Sequence, residues 1–203
     1  METIQPSKRG GLSSSRKTMR TLIFVLAYGI ILSALSACRE KADVVKRGEY
    51  LVTITGCHDC HTPKIQGPGG LPAPDTTRLL SGHPENLLYP TWTPDDLQQR
   101  NALALTTSML TAWAGPWGVS FASNLTPDKA TGLGEWSEAT FIQAIRTGKH
   151  QGQPNGRDIL PPMPWPDFKQ AMDEDLKAIW AYLRSLPPIK NQVPLPVPPG
   201  AGK

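Results

Sequence analysis

One hexapeptide constrains this chain more than any other stretch: Gly56-Cys57-His58-Asp59-Cys60-His61, two cysteines three apart with a histidine directly after the second. Residues at i, i+3 and i+4 share one face of a helical turn. The spacing therefore predicts a short helix presenting two thiols and an imidazole on one side. Only three cysteines occur in the 203 residues, so no disulfide framework organises the fold. A tetrahedral zinc site needs four ligands, usually from a second cluster; His83 and His150 are isolated in sequence from this turn and from each other. Dithiol exchange through CxxC goes with βαβ units, and the flanks of the motif do not read as strands.

The remaining chemistry is covalent haem. CxxCH is the attachment signature of c-type haem. Cys57 and Cys60 can reach the two vinyl groups of one porphyrin, and His61 then lies beneath the iron as its proximal ligand. His58 and Asp59 form the variable middle of the motif, with His58 expected to face solvent. A single CxxCH implies one covalent haem c.

The N-terminus says where such a domain would work. The formal charge of the chain is +4, and Lys8, Arg9, Arg16, Lys17 and Arg20 against Glu2 account for the whole surplus. The rest is balanced, which leaves no basic footprint for nucleic acid. An uncharged run over 21–37 follows and ends in small residues before Cys38. A charged segment, a short apolar core and a small-residue exit describe a secretory signal peptide over 1–37. Leu35-Ser36-Ala37-Cys38 resembles the bacterial lipoprotein box. That implies lipidation at Cys38, a short linker over 38–42, and a domain anchored by lipid on the periplasmic side of a bacterial membrane. The alternative is an uncleaved anchor helix, since a run of this length just spans a bilayer. Both readings put the domain on the same side.

Three helices are legible downstream. Residues 42–55 place Val44, Val45, Leu51, Val52 and Ile54 in a loosely helical pattern. Gly48 interrupts it at a cost to helix stability, which asks for a packing reason. Ser137 is the expected N-cap of a second helix with Phe141 and Ile145 buried and Gly148 as its left-handed stop. A third runs from Asp173, its expected N-cap, with Leu176, Ile179, Trp180, Leu183 and Leu186 on one face. Pro187 and Pro188 end it. The segment 62–120 is rich in proline and glycine, with a helix expected over 95–113 and Trp92, Trp113 and Trp117 packing inward. The proline-rich tail, 189–203, is expected to be extended or disordered.

A second axial ligand separates an electron carrier from a haem enzyme. Met109 falls in the 95–113 segment and Met172 just before the last helix, both suited to filling core gaps. His83 and His150 stand in polar stretches and are expected to be exposed. Met163 differs: in Leu160-Pro161-Pro162-Met163-Pro164-Trp165-Pro166 the prolines fix φ, remove donors and make a stiff, extended strap.

The stretches 47–61 and 124–188 together resemble the bacterial class I c-type cytochromes, of the kind that also form the cytochrome subunits of membrane-bound dehydrogenases. The resemblance implies an all-α, class I cytochrome c-like fold of three to five helices around one covalent haem, in a domain over 43–188 with a long loop-rich insertion at 62–120. It puts Gly48 where the first and last helices cross, facing Ile179 and Tyr182, and Met163 in the place of the axial methionine. A His61/Met163 pair closes the iron to substrate and raises its potential. The implied function is a monohaem electron carrier, not an enzyme, working between membrane-bound redox proteins: a dehydrogenase as donor, an oxidase or another cytochrome as acceptor. Two alternatives stay open. One is a five-coordinate haem in a sensor or peroxidase-like enzyme; the other is a bound cytochrome subunit of a membrane dehydrogenase.

Overall fold

A computed structural model describes residues 39–89, 96 and 102–200 of the chain. The chain divides into two compact units, 1–43 and 44–203. Of the first, only the helical residues 39–43 are described. The apolar run over 21–37, Cys38 and Trp92 lie outside the described residues. None of the described helices is long and apolar enough to cross a membrane.

Three helices build the core of the second unit: α1 (44–54), α3 (Glu138–Thr147) and α5 (Asp173–Ser185). Between them come the short α2 (Cys57–His61) and α4 (Trp165–Phe168). On α1 the buried positions are Gly48, Leu51 and Val52, while Val44 and Ile54 face outward. On α5 Leu176 is buried, and Trp180, Tyr182 and Leu183 join a cluster with Val52, Leu80, Leu133 and Phe141. The Phe141 and Trp180 rings stack with centroids 5.5 Å apart, which is worth about 0.5–1.5 kcal/mol beyond their buried area.

A second face of α5, Ala178 and Tyr182, meets α1. A Cβ built on Gly48 would lie 1.9 Å from the Ala178 carbonyl oxygen and 2.8 Å from Tyr182 Cβ. Gly48 is therefore glycine because backbone meets backbone there. The crossing expected from the sequence is present, with Ala178 rather than Ile179 as the partner beside Tyr182. Arg47 ties the same two helices at the surface through Asp175, at 3.0 Å.

The helix ends follow their local chemistry. Ser137 caps α3, its hydroxyl accepting from the Thr140 amide at 3.0 Å. Gly148 closes it in the left-handed region at φ 67°. The N-cap of α5 is Met172, one residue earlier than expected, so Asp173, Glu174 and Asp175 all stand in its first turn. There their charge favours the positive end of the helix dipole.

An all-α chain does not describe the molecule, because the segment expected to be loop holds two small antiparallel sheets. β1 (Lys64–Gln66) pairs with β2 (Pro72–Pro74), Ile65 opposite Ala73. β3 (Leu105–Thr106), β4 (Ala112–Gly115) and β5 (Gly118–Phe121) form the other, in that order. The helix expected over 95–113 therefore fails from residue 105 onward. The apolar residues there alternate rather than follow a helical period: Ala112 and Ala114 are buried and Trp113 only half-buried. Trp117 is half-buried as well. The tail over 189–200 is extended and docked. Val197 pairs with Val119 through two backbone hydrogen bonds, of 2.8 and 2.9 Å. Asn191 is 6% exposed and donates to the Ser81 and His83 carbonyls.

Candidate functional site

Cys57, Cys60 and His61 occupy the single turn of α2. Gly56 precedes it in the left-handed region at φ 70°, which turns the chain sharply out of α1. The Thr62 amide closes the turn on the His58 carbonyl at 3.2 Å. Both cysteines are free thiols and half-buried. Burial pushes both up from the ordinary thiol range; the Thr55 hydroxyl, 3.4 Å from Cys57 Sγ, works against this at Cys57. Thiol–disulfide exchange uses a stabilised thiolate. This pair is held in the opposite sense.

His61 Nδ1 lies 2.8 Å from the Ser123 carbonyl oxygen. A carbonyl only accepts, so Nδ1 carries the proton and Nε2 is left with a free lone pair. Burial holds the ring's pKa below the usual histidine range, against the opposing pull of Ser123, and so favours the neutral imidazole. The arrangement matches the rule that a ligating histidine is oriented by a hydrogen bond at its other nitrogen. The His61 carbonyl in turn accepts from the Gly82 amide at 2.8 Å. The insertion thus holds the histidine by its backbone through Gly82, and Ser123, just beyond the insertion, holds its side chain.

His58 is not a solvent-facing bystander. It is half-buried, with Nδ1 2.9 Å from Thr62 Oγ1. That hydroxyl also accepts from the Leu80 amide at 3.0 Å. Leu80 is fully buried in the core cluster. Ser123, Thr62 and Leu80 escaped sequence reasoning. A backbone carbonyl has no residue signature, and a threonine after CxxCH carries no pattern of its own.

Met163 lies apart from α2, half-buried in the proline loop before α4. Its amide donates to the Leu160 carbonyl at 3.3 Å. Two contacts fix the loop. The Ser120 hydroxyl of β5 donates to the Pro161 carbonyl at 2.6 Å. At the other side the Ile159 amide donates to the Gly148 carbonyl at 2.7 Å. A Cβ on Gly148 would fall 2.3 Å from the Trp165 ring, so a close approach and a positive φ both require glycine there. Ser120 of β5 thus holds the methionine loop, and Ser123, three residues on and beyond the strand, holds His61. Three residues span no more than about 11 Å.

The other candidate ligands are placed otherwise than expected. His83 is fully buried, with Nδ1 2.9 Å from Thr111 Oγ1 and Nε2 3.2 Å from the Leu87 carbonyl. His150 is half-buried, its ring edge-on to Trp136 at 5.5 Å. Met109 sits half-buried in the connection between β3 and β4. Met172 is 64% exposed rather than core.

No protein-family model matches the chain. Among curated proteins, it is 29% identical over 166 residues to the gluconate 2-dehydrogenase cytochrome c subunit of Pantoea cypripedii, covering 81% of this chain and 28% of that one. It is 31% identical over 158 residues to the fructose dehydrogenase cytochrome subunit of Gluconobacter japonicus, covering 75% and 24%. It is 27% identical over 162 residues to the cytochrome c subunit of the quinone alcohol dehydrogenase of Gluconobacter oxydans, covering 77% and 25%. The homologues of this chain are cytochrome c subunits of dehydrogenases. It spans about a quarter of the length of these relatives.

Proposed function

We propose that this chain is a monohaem c-type cytochrome that passes electrons singly, as the cytochrome subunit of a dehydrogenase. The observation that carries the reading is the α2 turn: two neutral thiols beside an imidazole whose Nδ1 is committed to Ser123 and whose Nε2 is free. That donor set fits a covalent haem, with Cys57 and Cys60 as thioether positions, His61 as one axial ligand and Met163 as the other. When bound, the haem supplies one-electron iron chemistry. The chain's own residues hold and shield it. Ser123 fixes the tautomer and plane of His61, and β5 with Gly148 and Trp165 fixes the loop of Met163.

A filled sixth position leaves no site for a substrate, so the protein is a carrier and not the catalytic partner. The names of the relatives favour a bound subunit over a free carrier, with a dehydrogenase as donor and an oxidase or another cytochrome as acceptor. The signal sequence over 1–37 and lipidation at Cys38 would hold it on the periplasmic side of the membrane.

Absorption spectra of the oxidised and reduced protein, with and without carbon monoxide, test this directly. The wild type should show a methionine–iron charge-transfer band when oxidised and bind no carbon monoxide when reduced. Met163→Ala should lose the band and admit the gas, while Met172→Ala should change neither. A wild type that binds carbon monoxide readily and lacks the band would replace the carrier with the five-coordinate reading.

A further inference from the structure

Next to the attachment turn sits a cation that the proposed function leaves unused. Lys64 stands three residues after His61, at the start of β1, and its side chain folds back onto α2. Its Nζ donates to the carbonyls of His58 at 3.0 Å, Asp59 at 2.9 Å and Thr62 at 2.5 Å. The last carbonyls of a helix mostly lack amide partners, and partial negative charge gathers there; here only the His58 carbonyl also meets an amide, that of Thr62. One lysine thus satisfies three acceptors at the end of the turn that carries both thiols and the histidine. The residue is only 8% exposed, and lysines are almost never buried to this degree unless paired. Here the ammonium hydrogen-bonds to carbonyls, and the Asp59 carboxylate acts on it through space. A surface lysine near a helix end would give the dipole interaction without the burial. The depth marks this one as part of the site.

We propose that Lys64 is a positioning residue of the attachment turn, which locks the carbonyls at the end of α2 in place and, as a buried positive charge on that turn, would hold up the reduction potential of a haem attached there. The inference rests on the proposed function. Its physical basis is simple. The oxidised haem carries one more positive charge than the reduced one, so a fixed cation opposes oxidation. Burial lowers the dielectric around that charge and strengthens the effect, and second-shell groups of this kind tune bound metals.

The test is a potentiometric titration of the intact, haem-loaded protein with Lys64→Gln and Lys64→Arg. Lys64→Gln keeps some donors and removes the charge, so the potential should shift downward. Lys64→Arg keeps the charge and should restore the wild-type potential. A purely structural role would lower stability in both without separating their potentials. If Lys64→Gln titrates at the wild-type potential, or Lys64→Arg falls as far as Lys64→Gln, the inference is overturned. Should Lys64→Gln fail to accumulate with haem, the haem content of Lys64→Arg decides. Attachment at the wild-type level supports the cation; failure there as well overturns it, because the lysine's shape then governs the turn. A wild-type protein without covalent haem would overturn the proposed function itself, a result that none of these variant outcomes can imitate.

Discussion

The helical frame and the 62–120 insertion keep their side chains in place by different means. In the frame, α1, α3 and α5 bury apolar faces against one another, and the fit is steric: Gly48 against Ala178, Phe141 on Trp180. In the insertion, the strands are only two to four residues long, and the apolar residues that they bury, Ala112, Ala114 and Val119, are small or medium-sized. Polar groups do the holding instead. Asp75 accepts from the Thr77 amide and hydroxyl and from Arg78, His83 bonds Thr111 and the Leu87 carbonyl, and Asn191 fastens the tail to Ser81, His83 and Glu85. The candidate site stands where the two meet. The frame delivers α2 through α1, and the stretch that follows β5 delivers the Ser123 carbonyl that orients His61.

The same division decided what the sequence could tell. Helices announce themselves by period and caps, so α3, α5 and the Gly48 crossing were legible. CxxCH is legible without a fold, and α2 puts its two cysteines and histidine on one turn. Ala178 was missed because a small residue adds nothing to an apolar pattern, although smallness is what the crossing needs. The insertion was illegible because its determinants are pairings between distant residues. Nothing near His83 in sequence shows that Thr111 will bury it, and nothing in a proline-rich tail points to Asn191. The apolar residues over β4 read in sequence as part of a helix, because the strands are too short for their period to emerge.

The largest effect should come from the junction. Replacing Cys57 and Cys60 by serine together should remove covalent haem completely, seen as loss of haem staining after denaturing electrophoresis. If haem survives denaturation in that variant, attachment lies elsewhere and the two regions do not converge on α2.

Next in size is the steric frame. In Gly48→Val the new Cβ meets a backbone carbonyl at 1.9 Å, which no side-chain rotation can relieve. Overpacking of a core typically costs about 1–3 kcal/mol, and a backbone contact should put this variant at the upper end. The melting temperature should drop by roughly 6–12 °C, taking about 2–4 °C per kcal/mol for a domain of this size. An unchanged melting temperature would take Gly48 out of the crossing.

The polar insertion should respond more locally. Asn191→Ala strips the Ser81 and His83 carbonyls of their donor and the Glu85 amide of its acceptor. Leaving buried groups unsatisfied costs about 1–3 kcal/mol. Hydrogen exchange should quicken across 81–85 and 189–192 while the amides of α1 and α5 keep their protection. If α5 loosens equally, frame and insertion form one cooperative unit and the contrast between them is thermodynamically empty.

The smallest expected effect is a slope with pH, and it also belongs to the insertion. His83 is fully buried, with its ring 5.0 Å from that of Phe121. Its Nε2 donates to the Leu87 carbonyl and its Nδ1 accepts from the Thr111 hydroxyl, so the neutral ring is fully paired. Burial depresses its pKa below the ordinary value of 6.5, and the Leu87 carbonyl only partly offsets this. In the unfolded chain the ring takes a proton near pH 6.5, whereas in the folded protein it resists until the pH is lower. Between those two points the unfolded state binds more protons, so stability rises with pH across that window. The contribution of His83 is therefore present in full above about pH 6.5 and declines as the pH falls through its depressed folded value. His58, His61 and His150 are shifted in the same direction. His83→Gln should accordingly lower the melting temperature at pH 7.5 and make its decline towards pH 5 shallower without abolishing it. Wild-type and variant curves that run parallel from pH 8 to pH 5 would show that His83 stays neutral for reasons that folding does not supply, and would leave its hydrogen bonds as its whole contribution to the insertion.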